Sequence, residues 1–240
     1  MKSMLVLLCA FCLLARCSAE SDHVKDIHRL DHAARVLYET MRAPDQRIPG
    51  HILKGARCVA VVPHLVKGGF ISGAEEGKGV ATCRTARGWS APAFIQMGGG
   101  SWGTQVGVEA VDLVMVVRGK EGMSKLLASK FEIGRDASVA VGPVGRHSSE
   151  NIDAKLNALI LTYSRAKGAF LGMTFDGAVV KGDDDARHAM YGRRVTTSEV
   201  LLGRVSPRAG SRPFLAAVRR AEYQAASHGT RRRVRRRVRR

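Results

Sequence analysis

Beyond the apolar N-terminal stretch, where Cys9 and Cys12 lie, the 240-residue chain holds neither a C-x-x-C pair nor histidines and cysteines at zinc-ligand spacing, which excludes the common structural zinc sites and thioredoxin-like redox motifs from its body. No cofactor is implied. It lacks an apolar run of the length, about 20 residues, that a helix needs to cross a bilayer; the uninterrupted run Met4–Leu14 falls well short. Acidic residues are few, 21 against 39 lysines and arginines, leaving a formal charge of +18. Internal repeats and long linkers are missing too, so one sizeable domain is expected. Aromatic residues are absent from the most basic segment, which removes the stacking platform of single-strand nucleic-acid binders.

The two ends account for much of what is present. Lys2, the apolar stretch Met4–Leu14 and the small residues Cys17-Ser18-Ala19 read as a signal peptide over 1–19. An exported protein is expected from this, periplasmic or cell-envelope associated if bacterial. Leu14-Ala15-Arg16-Cys17 also places a cysteine where lipid could be attached, although the bulky charge of Arg16 opposes it. At the other end, eight arginines occupy the last ten residues, and without them +18 falls to +10. Such a run, with only Val234 and Val238 between, is expected to be disordered over 227–240 and to attract polyanions, a membrane surface before nucleic acid.

Cys58 and Cys83 are the only cysteines of the body, residues 20–226. A bridge between them would contribute about 3 kcal/mol in the loop-entropy picture; two buried free thiols fit the sequence equally. His23, His28 and His32 fall in one helical stretch without a completing ligand and read as solvated. Asp183-Asp184-Asp185 lacks the staggered spacing and closing glutamate of a calcium loop and reads as a solvated turn.

Along the body, Val24, Ile27, Leu30, Ala34, Leu37 and Met41 make an apolar stripe at helical spacing, with Lys25, Arg29, Arg35 and Arg42 on other positions. That helix either packs on the domain or lies on an anionic membrane. Short apolar segments punctuated by glycine follow, then a helix over Lys120–Phe131, strands at Ala137–Val141, Ala158–Tyr163 and Ala169–Phe175, and helices at Thr197–Leu202 and Phe214–Ala226. The expected class is α+β: an antiparallel sheet, meander or barrel-like, flanked by N- and C-terminal helices in a single domain.

Gly98–Val117 matches two catalytic patterns. Gly98, Gly100 and Gly103 form G-x-G-x-x-G, and Gly99, Ser101 and Gly103 form G-x-S-x-G. Both need a helix immediately afterwards, whereas Val106, Val108 and Ala110 alternate with other residues and Leu113–Val117 is a strand-like run. The segment therefore reads as a connection between strands where backbones approach closely. A serine hydrolase would need Ser101 beside His147 or His188.

Taken in order, Val61-Val62-Pro63, Lys67-Gly68-Gly69-Phe70, Gly88-Trp89-Ser90-Ala91-Pro92-Ala93-Phe94, Gly100-Ser101-Trp102-Gly103-Thr104-Gln105-Val106-Gly107, Asp112-Leu113-Val114, Gly134-Arg135-Asp136-Ala137-Ser138, Gly142-Pro143-Val144-Gly145, Tyr163-Ser164-Arg165-Ala166-Lys167-Gly168 and Tyr191-Gly192 resemble the SYLF domain family from about His28 to Ala226. The resemblance implies a non-enzymatic domain that binds anionic phospholipids, phosphoinositides especially, and in some eukaryotic members actin. It offers no catalytic role for Ser101. The sequence carries no SH3 domain like that of many eukaryotic relatives, and the arginine tail is outside the family pattern; with the expected export, this weighs against an actin role. An anionic phospholipid membrane is thus the expected partner, actin or another protein the alternative. Arginine and lysine contribute about 1 kcal/mol each near such a surface, and Arg29, Arg35, Arg42 and, beside its two glycines, Lys67 are the candidate contacts.

Overall fold

The computed structural model describes residues 23–43, 47–68, 73–101, 108–128, 130–144, 157–166, 169–171, 173 and 175–237. Helix α1 covers 23–42 and α2 Gly50–Gly55. Five strands follow: β1 (Ala56–Gly68), β2 (Gly73–Thr85), β3 (Gly88–Trp89), β4 (Ala93–Ser101) and β5 (Val108–Arg118). After α3 (Gly119–Leu127) come β6 (Lys130–Glu132), β7 (Val139–Val141), β8 (Ile160–Ala166), β9 (Ala169–Leu171) and β10 (Val179–Gly182). Helices α4 (Asp184–Tyr191), α5 (Thr197–Leu201) and α6 (Arg212–Arg237) complete the chain.

The ten strands form one sheet in the order β6-β10-β4-β2-β1-β5-β8-β7, with β3 beside β2 and β9 beside β8. All pairings are antiparallel except β7 with β8, so the sheet is mixed. Its two edge strands, β6 and β7, are joined by the short link 133–138, in which Gly134 adopts φ +89. That link curls the sheet towards a half-barrel, in line with the expected α+β class.

Strand β1 explains why the helices sit outside. Val59, Ala60, Val61 and Val62 are all fully buried, so both faces of the strand are covered. One face fills the curled sheet and the other receives helices. Beyond Val62 the strand bulges: His64 takes φ 49, its amide donating to the Asp112 carboxylate at 3.0 Å while its ring meets His32 edge-on at 5.7 Å. His32 thus contacts the domain rather than solvent alone. Cys58 and Cys83 face each other across β1 and β2 with Cα atoms 4.0 Å apart and are joined in a disulfide.

Several expectations need correction. The helix after β5 stops at Leu127, and Phe131 lies on β6 opposite Val180, buried in the core. Strand β10 and helix α4 were not anticipated; their polar residues hid them. Asp183 is no solvated turn: it caps α4, its side chain accepting from the Ala186 amide, and is almost fully buried. Helix α6 spans Arg212–Arg237, longer than the Phe214–Ala226 stretch read from its apolar spacing. Arginine propagates a helix well, and a docked first half removes the nucleation cost. Just before α6 the Ser211 hydroxyl donates to the Arg208 carbonyl.

The glycine-rich motif runs along β4 into Ser101, which pairs with Gly73, and the next described element is β5, another strand. Among the described residues no helix follows either catalytic pattern before α3. At Gly99 a Cβ would lie 2.9 Å from both the Ala178 Cα and the Gly177 carbonyl oxygen. We expect Gly99→Ala to destabilise the fold by about 2 kcal/mol in urea unfolding, whereas Gly55→Ala, with nothing within 4 Å of its Cβ, should not. Equal stability of both variants would refute the close-approach account.

Candidate binding face

A groove of about 380 Å³ lies between α1 and α6. From α1 come Ala34, Leu37, Tyr38 and Met41, and from α6 Pro213, Ala216, Ala217 and Ala221, each set at the three-four spacing that puts residues on one helix face. Leu37, Met41 and Ala221 are buried and form its floor; Tyr38, Pro213 and Ala216 are exposed along it. Arg35 on one helix and Arg220 on the other line it as exposed cations.

Each wall is fixed by a carboxylate. On the α1 side, Arg29 donates to Asp183 at 2.8 Å, pairs with Asp26 at 3.0 Å and lies 5.2 Å from the Phe94 ring centre. Lys78 of β2 adds a cation 3.7 Å from the same Asp183. Burial pushes the Asp183 carboxyl upward, but the Arg29 and Ala186 hydrogen bonds and the charges of Arg29 and Lys78 outweigh it and hold its pKa below the usual aspartate range. On the α6 side, Glu222 accepts from Arg84 at 2.7 Å and from the Trp89 indole at 3.0 Å. Arg84 also stacks over Trp89 at 4.6 Å and donates to the Ala56 and Leu53 carbonyls, tying the end of α2 to the same point. Burial raises the Glu222 pKa, yet these bonds and the Arg84 charge leave it below the ordinary glutamate value.

The four expected contact residues fall apart. Arg29 is turned into the fold, its guanidinium committed to Asp26 and Asp183. Arg35 and Arg42 are exposed on α1, Arg42 stacked 5.5 Å from the Tyr38 ring and donating to its hydroxyl at 3.3 Å. Lys67 lies on β1, its backbone opposite Glu75 and Glu109; its side chain, and Gly69 and Phe70, lie outside the described residues, so the backbone nest envisaged there does too. Sequence reasoning missed Arg220, although its place among Pro213, Ala216, Ala217 and Ala221 at helical spacing was available. His188 is exposed on α4, and His147 lies outside the described residues, as do 1–22 with Cys17.

The architecture is thus a curled sheet backed by helices, with an apolar groove lined by two cations. The family model described as Ysc84, Las17-binding protein actin regulator, matches residues 98–221. The chain is 33% identical to protein YSC84 of Saccharomyces cerevisiae over 177 residues, 71% of this chain and 37% of that protein. It is 30% identical to SH3 domain-containing YSC84-like protein 1 of Rattus norvegicus over 182 residues, 72% of this chain and 53% of that one. LAS seventeen-binding protein 3 of the same yeast is 32% identical over 169 residues, 68% of this chain and 36% of the yeast protein. The chain belongs to the Ysc84, or SYLF domain, family; it spans between about a third and a half of the length of these relatives. The family is an actin-regulator family and not a known enzyme family. These findings correct the expected exported, periplasmic or cell-envelope location: the relatives are yeast and mammalian proteins, and the family model is described by Las17 binding and actin regulation.

Asp183→Asn removes a buried charge that Arg29 needs, and we expect a loss of about 3 kcal/mol at neutral pH. Because the folded carboxyl titrates lower than the unfolded one, its stabilisation is complete above about pH 5 and is lost as acid protonates it in the fold. Urea unfolding from pH 7 to pH 3 should therefore show the gap between the two proteins narrowing; a constant gap would exclude the ion pair as its origin.

Proposed function

We propose that the chain is a non-enzymatic protein-binding module for acidic surfaces, with actin filaments as its first partner, engaged through the exposed faces of α1 and α6. The observation that carries this is membership of an actin-regulator family together with unneutralised arginines on that face, Arg35 and Arg220. Cations at an interface rim steer encounter with an acidic partner and fix its register. Expected export weighed against actin in the sequence, and that ground falls with the corrected location.

A second reading, peripheral binding to anionic phospholipid, is supported by the same groove, since an apolar floor beside arginines suits an acyl chain beneath a charged headgroup. Arg35, Arg42 and Arg220 would then carry it, with Lys67 and the tail secondary, and Arg29 would act by placing α1.

Co-sedimentation separates the readings. The eight tail arginines are first changed to glutamine, because a polycation pellets with any acidic polymer. The resulting protein should still pellet with actin filaments at moderate salt, and Arg35→Glu/Arg220→Glu should weaken this about ten-fold. Pelleting with anionic but not neutral vesicles, and not with filaments, would replace the protein reading by the lipid one.

A further inference from the structure

The α1 stripe is wider than the core requires. Leu30, Ala33, Val36, Leu37, Thr40 and Met41 are buried, whereas Ala34 and Tyr38 on the same helix are left on the groove. Helix α6 behaves alike: Phe214, Leu215, Val218 and Ala221 face inward, while Pro213, Ala216 and Ala217 continue the apolar surface outward. Two neighbouring helices therefore each present a second apolar strip, and the strips meet in the groove.

We infer that this groove docks an acidic amphipathic α-helix of a partner protein. The inference rests on the protein-binding reading above and names the partner segment. Length is the first argument. Ala34–Met41 runs about 10 Å along α1 and Pro213–Gln224 about 16 Å along α6, at 1.5 Å per residue. Apolar side chains at i, i+4 and i+7 of an incoming helix span about 10 Å and match this. The small side chains of Ala216, Ala217 and Ala221 leave the volume into which larger anchors fit. Backbone chemistry is the second. An extended peptide laid over Leu37, Met41 and Ala217 would meet no sheet edge with which to pair its amides, whereas a helix satisfies its own. Charge is the third. No carboxylate lines the groove, Arg35 and Arg220 stand on opposite walls, and neither guanidinium has a partner among the described residues. A helix with glutamates on both shoulders of its apolar stripe complements that arrangement. Arg29–Asp183 and Arg84–Glu222 hold the walls in place beforehand, so little ordering is needed on binding.

The test uses the full chain and a fluorescein-labelled 16-residue helical peptide with leucines at i, i+4 and i+7 flanked by glutamates. Controls are its lysine-flanked counterpart and a version with serines for leucines. Fluorescence anisotropy should show saturable binding of the acidic peptide only. Arg35→Glu/Arg220→Glu should weaken it at least ten-fold, and Ala216→Trp, at an exposed position, should block it while thermal unfolding stays unchanged. Equal binding by these variants, tighter binding of the lysine peptide, or no binding overturns the inference. So does groove-dependent pelleting with phosphatidylserine vesicles without peptide binding, or a chain dimer that Ala216→Trp dissolves. If the peptide fails while filaments still pellet, the groove assignment falls and the protein-binding reading stands; if filaments fail as well, that reading falls first.

Discussion

The setting of α1 and α4 against the sheet depends on one buried carboxylate. Asp183 closes β10, caps α4 and receives Arg29 from α1, so two parts of the chain 154 positions apart meet at a single acceptor. An apolar contact tolerates sliding and rotation; a charge held by a guanidinium and an amide does not. Buried ion pairs seldom improve on apolar packing in net stability, because desolvation offsets their attraction. What Asp183 supplies is position. Without it α1 could rest on β1 in several rotations, since Val59–Val62 present a featureless apolar surface.

Glu222 plays the matching part for α6, but in a wetter setting. Its side chain is about a third exposed and its partners, Arg84 and Trp89, lie at the β2–β3 hairpin. Beneath that hairpin the Cys58–Cys83 bridge joins β1 to β2, so the anchor of α6 stands on a covalently fixed ladder. The groove between the helices is consequently shaped by the sheet. Its width follows from where Arg29 and Glu222 attach, and its apolar lining follows from which faces those attachments leave outward.

The fold was legible where apolar periodicity spoke. Leu113–Val117 and the α1 stripe each revealed their element, and Val108 and Ala110, beyond Gly103, do lie on a strand rather than a helix. It was illegible where short elements owe their existence to partners. Strand β10 has four residues and is defined by lying between β4 and β6. Helix α4 opens on three aspartates that look like a solvated turn until Arg29, some 150 positions earlier, is seen to neutralise the first. Arg220 was missed for the opposite reason: in a chain so rich in arginine, one more on an exposed helix gave no contrast.

The arginines of α1 show how far spacing alone could have gone. Arg29, Ala33, Val36 and Thr40 lie at i, i+4, i+7 and i+11, and the last three are buried, so Arg29 belongs to the buried strip. Arg35 and Arg42, seven apart, share a strip almost opposite, where Val24 is also exposed. At 100° per residue the expected apolar stripe is rotated by about 70° from the arc actually buried. That offset is informative. The stripe read from the sequence sums two contacts, one with the sheet and one along the groove, and its centre falls between them. A helix whose apolar stripe is wider than, and turned away from, its buried face has been selected against two surfaces at once. On α1 the sheet is one of them, and the residues left over, Ala34 and Tyr38, point to where the second belongs.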